Sequence, residues 1–196
     1  QFHALFLDFL RAKLAEIRPV PQIEALRRRS AAVLERAGDT HAAVELHLAG
    51  QNWDDAIRVI QTNAALLLKN EQRQTLTRWI FAIPENRRAG EPWLCYWLGR
   101  ALLQTALDDG IQSMERALDQ FRKIGDQAAQ RNCLTALLRA AFLGFRGLDS
   151  MDRWLDELLV LIEKNSAFRP GDDELETWSV LATTLFHVRP WHPLTI

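Results

Sequence analysis

The chain has 196 residues, 48% of them hydrophobic, and its 24 Lys and Arg against 25 Asp and Glu leave a formal net charge of −1. That length and apolar content suffice for a sizeable core. The near-zero charge excludes the global field that polyanion-binding or membrane-surface proteins carry, although a local basic patch stays open. Cys95 and Cys133 sit inside apolar helical patterns without metal-ligand spacing, as expected of buried, reduced thiols in a cytoplasmic protein. No apolar run reaches the roughly 18 residues of a bilayer span, and the first residues do not form a signal peptide. The opening Gln1-Phe2-His3 and the stop at Ile196, just after an expected helix, suggest a piece of a longer protein.

In chain order, Phe2, Leu5, Phe6, Phe9, Leu10 and Leu14 form one apolar stripe and predict a helix over 2–17, broken by Pro19 and Pro21. Ile23, Leu26, Val33, Leu34 and Ala37 mark a second helix, with Gly38 as its C′ residue. A short helix over 40–49 stops at Gly50. Asn52 then caps a long one in which Trp53, Ala56, Ile57, Ile60, Ala64, Leu67 and Leu68 share a face. Leu76, Trp79, Ile80 and Ile83 carry the next helix to Pro84, and residues 85–91 form a loop.

Pro92 opens a helical hairpin over 93–121 as a first-turn proline. Leu94, Leu98, Ala101 and Thr105 are expected to pack against Ile111, Met114, Leu118 and Phe121 of the second helix, with Asp108 as its N-cap. The small residues Gly99, Ala101 and Ala117 would let the two helices approach closely. Beyond Gly125, Leu134, Leu137, Leu138, Ala141, Phe142 and Phe145 form a stripe, and Gly147 and Asp149 a turn. Met151, Trp154, Leu155, Leu158 and Ile162 line the following helix. Trp178, Leu181, Ala182, Leu185 and Phe186 define a last one, ended at Arg189-Pro190. No segment alternates with period two, so the fold class is all-α.

Paired acids at 54–55, 108–109 and 172–173 all fall at helix starts, where carboxylates cap and complement the helix dipole better than they serve acid–base chemistry. Lys13, Lys69, Lys123 and Lys164 lie late in their helices, where the same dipole accounts for them. His41 and His47, six apart, point to opposite sides of a helix, and His187 and His192 straddle Pro190 without an acidic partner, so no metal is expected. The basic runs 27–29 and 87–88 suit solvated faces better than nucleic-acid contacts. No serine stands in a nucleophile elbow, and Cys95 has no nearby base in sequence, so neither catalysis nor a cofactor is expected.

The best functional candidate is a face. Trp93, Trp97, Arg100 and Gln104 fall in one narrow sector of a helix, opposite Leu102. On the next equivalent helix Asn132, Thr135, Arg139 and Arg146 lie away from the leucine stripe. Aromatic, arginine and amide groups together suit a small ligand or a peptide. The competing reading is that the tryptophans pack between helices and the arginines are merely solvated.

Two resemblances give this pattern a context. The succession Leu98-Gly99-Arg100-Ala101-Leu102, Asp108-Asp109-Gly110-Ile111, Met114 and Arg116-Ala117-Leu118 resembles a tetratricopeptide repeat, a helix pair of about 34 residues that stacks into a solenoid. The turn is one residue short, and Gly110 stands where the motif usually has alanine. Residues 2–11 (FHALFLDFLR), 26–39 (LRRRSAAVLERAGD) and 42–50 (AAVELHLAG) resemble the region that follows the ATPase core in MalT-like regulators of the LuxR type. Val33 stands where that family often has tryptophan.

The resemblance implies a right-handed superhelix of tetratricopeptide-like helix pairs over 39–196, preceded by a helical arm over 1–38 that follows an ATPase and winged-helix region. It implies a nucleotide-binding P-loop upstream and a helix-turn-helix domain downstream; with no GxxxxGK(S/T) string here, this segment by itself is expected neither to hydrolyse ATP nor to contact DNA. Its partner would be a small-molecule inducer or a regulatory protein, with self-association in the full-length protein. The alternative is a tetratricopeptide scaffold or co-chaperone module that binds peptide segments. The motif at 191–194 (Trp191-His192-Pro193-Leu194) faces where a further repeat would begin, which predicts an exposed apolar end.

Overall fold

In the computed structural model, which describes residues 9, 12–14, 16–144, 148–164 and 172–193, every regular element is a helix. The chain runs through α1 (Val20–Arg36), α2 (Thr40–Ala49), α3 (Trp53–Lys69), α4 (Arg73–Ala82), the single turn α5 (Glu85–Arg88), α6 (Pro92–Leu102), α7 (Leu107–Ile124), α8 (Gln127–Leu143), α9 (Leu148–Lys164) and α10 (Asp172–Val188). No helix of the described residues is long and apolar enough to cross a membrane.

Local signals set most boundaries. Gly38 and Gly125 adopt φ of +81° and +75°, the left-handed geometry that ends α1 and α7. Asp39 and Asp126 cap α2 and α8, their carboxylates accepting the amides of Ala42 and Ala129 at 3.0 Å. Pro92 sits in the first turn of α6.

Each helix packs on its successor, with α5 acting only as a link between α4 and α6. Side-chain bonds also join elements two apart, at separations of 33–42 residues. Trp79 and Arg78 donate to Glu45, Arg122 pairs with Glu157, Arg153 with Glu115, Arg139 with Glu176, and the Thr135 hydroxyl meets that of Thr177; Arg189, just after α10, pairs with Asp152 and Asp156 of the neighbouring α9. Helix α1 belongs to this stack. Ala31 is fully buried, and Glu35 accepts from His47 of α2 at 2.8 Å and from Arg58 of α3 through both of its oxygens at 3.0 Å.

Two apolar cores result. One joins α2, α3, α4 and α6 around Val44, Ile60, Leu76, Trp79 and Ile80, and the other joins α6 to α10 around Met114, Phe121, Leu134, Leu137, Trp154 and Leu181. Helix α6 serves both: Leu94, Leu98 and Ala101 face the first core, Cys95 and Tyr96 the second. This corrects the expectation that Leu94, Leu98 and Ala101 pack on α7. Thr105 lies exposed beyond the end of α6. The contact with α7 is made instead at Gly99, where a Cβ would stand 3.0–3.2 Å from Met114 and the Gly110 carbonyl. Gly110 is tighter still. A Cβ there would lie 2.7 Å from the Leu103 amide nitrogen and 2.9 Å from its Cα. The glycine that departs from the repeat motif is what lets α7 start against the backbone of α6.

Several other expectations change. Helix α7 starts at Leu107 with Ala106 as N-cap, so Asp108 and Asp109 occupy its first turn. Asn52 holds the N-cap position of α3 but makes no capping bond; its Oδ1 accepts from Arg28 Nε at 2.7 Å. Residues 85–91 contain the turn of helix α5 rather than loop alone. On α10 the buried face is Thr177, Val180, Leu181, Thr184 and Leu185, whereas Trp178, Ala182 and Phe186 are exposed. Leu26 and Val33 of α1 are likewise exposed, as are Phe9 and Leu14 ahead of it. Trp191 is 88% exposed, the apolar end expected from the sequence. The remaining residues of the N-terminal stripe (Phe2, Leu5, Phe6 and Leu10), with Phe145, Arg146, Gly147 and Leu194, lie outside the described residues.

Candidate ligand-binding groove

The face read from the sequence becomes one wall of a groove of about 450 Å³. Trp93, Trp97 and Arg100 project from α6 at spacings of three and four residues, and Gln104 follows from the turn after it. Asn132 and Arg139 come from α8. Six further positions complete the lining: Ala65, Leu68 and Lys69 of α3, Arg73 of α4, Tyr96 of α6 and Glu176 of α10. A second cavity of about 380 Å³ continues past Arg100, Gln104 and Arg139 toward Leu107 and Gly144. Among the described candidates, Thr135 alone is not on the open wall; Arg146 lies outside the described residues. Thr135 is buried directly behind that wall, its hydroxyl 3.2 Å from that of Thr177, beneath Tyr96, Arg100 and Asn132.

The two tryptophans are both packed and presented. Trp93 lies edge-on to Phe121 at 5.0 Å between ring centroids, and Trp97 edge-on to Tyr96 at 4.9 Å. Their own rings are 6.3 Å apart and tilted by 30°, and both remain half-buried at the groove. The packing reading and the binding reading of these residues are therefore compatible.

The groove's arginines are held by definite partners. Arg100 Nη1 donates to Tyr96 Oη at 2.8 Å, and its guanidinium also lies over the Tyr96 ring. Burial pushes the Tyr96 phenol above its ordinary pKa, with Arg100 acting the other way. Arg139 pairs with Glu176 at 2.6 Å, and Arg73 pairs with Glu71 while its Nε stays buried without an acceptor. Lys69, in the last turn of α3, has no ion-pair partner among the described residues.

The groups weighed for other chemistry serve the fold. His47 is buried against Glu35, and His41 lies edge-on to Trp79 with ring centroids 5.2 Å apart. Arg27 and Arg28 bind the Ala49 carbonyl and Asn52; Arg87 pairs with Asp54, and Arg88 with Glu85. Burial raises the thiol pKa of both Cys95 and Cys133, the opposite of nucleophile activation. Ser113 spends its hydroxyl on the Cys95 carbonyl at 2.9 Å.

A larger groove of about 550 Å³ lies along the opposite face of α6, lined by Phe81, Glu85, Arg88, Cys95, Asp109 and Arg116 among others. Its acids and arginines balance, so it specifies no ligand charge. The groove at Trp93 and Trp97 does, since one carboxylate faces four cations. Lys69, Arg73, Tyr96 and Glu176 escaped the sequence reading. Only the Tyr96–Arg100 spacing of four residues, which places one side chain over the other on a helix, carried a local signal. Searches against known family models, characterised proteins and solved structures found no match to this chain.

Proposed function

We propose that this chain is the sensor region of a MalT-like, ATP-dependent transcriptional regulator of the LuxR type. It works in the cytoplasm and is non-catalytic in itself. The groove between α3, α4, α6, α8 and α10 receives a small-molecule inducer or a regulatory protein. One observation carries this reading: Trp93, Trp97, Arg100, Gln104, Asn132 and Arg139, chosen for sharing helix faces, converge on a single cavity of ligand size.

The architecture proposed with it is a right-handed superhelix of tetratricopeptide-like pairs. Successive packing of helices, together with side-chain bonds recurring every 33–42 residues, supports this. Residues 1–38 act as the arm that ties the repeats to an upstream ATPase region. The side-chain bonds from Glu35 to His47 of α2 and Arg58 of α3 tie that arm to the repeats. Occupancy of the groove biases the full-length protein between resting and self-associated states, as any ligand must that binds one state more tightly.

The test is thermal-shift screening of this chain against sugars, aromatic compounds and other metabolites, repeated with Arg100→Ala. A ligand at about 100 times its dissociation constant adds roughly 2.7 kcal/mol, an unmistakable shift. A hit that vanishes in Arg100→Ala supports an inducer site. A hit that survives it places the ligand elsewhere and defeats the reading.

A further inference from the structure

We infer that the ligand of this groove is a small organic anion, a carboxylate or phosphate carried on a planar ring. Glu176 competes with that anion for Arg139. The inference rests on the sensor reading above and adds the chemistry of the ligand.

The lining carries Lys69, Arg73, Arg100 and Arg139 against Glu176 alone, four positive groups and one negative, in a chain whose formal net charge is −1. The excess is thus local to the cavity rather than a share of a basic surface. A half-enclosed cavity focuses such a potential and raises the local concentration of anions. The geometry also leaves donors for an anion to take. Lys69 has no ion-pair partner among the described residues, and Arg139 is held in a partly exposed ion pair with Glu176.

The Arg139–Glu176 pair is 44% and 32% exposed at its two side chains, the regime in which an ion pair contributes little and is readily exchanged. An incoming anion can therefore replace Glu176 at Arg139 at small cost. Arg139 stands on α8 and Glu176 on α10, so the exchange alters a bond between two helices. A binding event thereby acquires a structural consequence. The inclined pair Trp93 and Trp97 supplies the apolar wall, and the volume of about 450 Å³ suits a ring with one or two substituents.

The experiment is calorimetric titration of the full chain with three probes of similar shape: 4-nitrobenzoate, 4-nitrophenyl phosphate and the neutral 4-nitrobenzamide. The anions are expected to bind about tenfold more tightly than the amide, and added salt to erode that preference as it screens exposed charges. Lys69→Gln should weaken both anions about threefold and leave the amide unchanged, while Glu176→Gln should tighten both by a similar factor. Neither side chain is buried, so both variants should fold.

If the amide binds as tightly as the acids and Arg100→Ala abolishes all three, the groove is a ligand site for neutral molecules. The anion inference then fails while the sensor reading stands. Looser anion binding in Glu176→Gln overturns the competition. If no probe binds up to roughly 10 mM in the wild type or in Glu176→Gln, the anion inference falls, and the metabolite screen alone decides the sensor reading.

Discussion

Gly110→Ala is expected to destabilise the protein even though intrinsic propensity favours it. In a helix interior alanine is better than glycine by about 0.5–1 kcal/mol, and Gly110 lies inside α7. The opposing effect is steric and involves backbone. The new Cβ would stand 2.7 Å from the Leu103 nitrogen, 2.9 Å from its Cα and 3.0 Å from the Leu102 carbonyl carbon. Reaching ordinary contact near 3.4 Å requires about 0.7 Å of separation between α6 and the start of α7. No flexible side chain can absorb it.

That separation also loosens Gly99 against the fully buried Met114 and the Ser113 bond to Cys95. A gap of this size forfeits a quarter to a half of each affected dispersion contact, and overpacking costs about 1–3 kcal/mol. The net loss should be about 2 kcal/mol, a fall of roughly 4–8 °C in Tm for a chain of this length. The assay is thermal unfolding followed by far-ultraviolet circular dichroism, with Gly90→Ala as control. At Gly90 a Cβ meets only the Arg87 carbonyl oxygen at 4.0 Å, so that variant should match or slightly exceed the wild type. A Gly110→Ala protein as stable as the wild type would refute the close-approach argument.

Two further outcomes follow from the buried polar groups. The hydrogen bonds of Arg58 hold the Glu35 carboxyl below its ordinary pKa, burial opposes them, and His47 adds to the lowering. A depressed folded-state pKa means that the stabilisation is present above the ordinary glutamate value of about 4.3 and is lost as pH falls through the folded value. Urea midpoints should therefore drop below about pH 4.3 in the wild type and drop less in Glu35→Gln, which starts about 1 kcal/mol less stable at neutral pH; an identical acid limb in both would remove Glu35 from the account. For the thiols, a Cys95→Ser variant should leave Cys133 inert to Ellman's reagent at pH 8 until urea unfolds the chain, because Cys133 is fully buried and its thiol pKa strongly raised. Rapid stoichiometric labelling of the folded variant would contradict that burial.

The sequence was most legible where the signal is local. Gly38, Gly50, Pro84, Pro92 and Gly125 marked helix ends correctly because capping geometry depends on neighbouring residues. It was least legible where a helix is apolar on more than one side. The spacing of Leu94, Leu98 and Ala101 puts them on one face of α6, yet periodicity cannot say which neighbour that face meets when a helix is buried on two sides.

On α10 Trp178 and Phe186 outrank Thr177 and Thr184 by hydrophobicity. The threonines are nevertheless the buried pair, their hydroxyls occupied by Thr135 and by the Val180 carbonyl. Asn52 could not be read as a partner of Arg28, 24 residues away. The same limit governs the groove. Its α6 wall follows from spacing within one helix, whereas Lys69, Arg73 and Glu176 arrive from segments whose approach only tertiary packing decides.

The double burial of α6 bears on how the molecule comes apart. In a linear stack of helices, terminal elements can open by themselves, and each opening exposes only its own interface. Here α6 cannot leave without exposing Ile80 and Trp79 on one side and Phe121 and Leu134 on the other. The two halves should thus share one cooperative unit, with backbone amides of α3 and α8 exchanging hydrogen through the same rare event. The wall that carries Trp93, Trp97 and Arg100 belongs to the element that opens last, so that wall stays in place even when fraying of α10 takes Glu176 out of the groove.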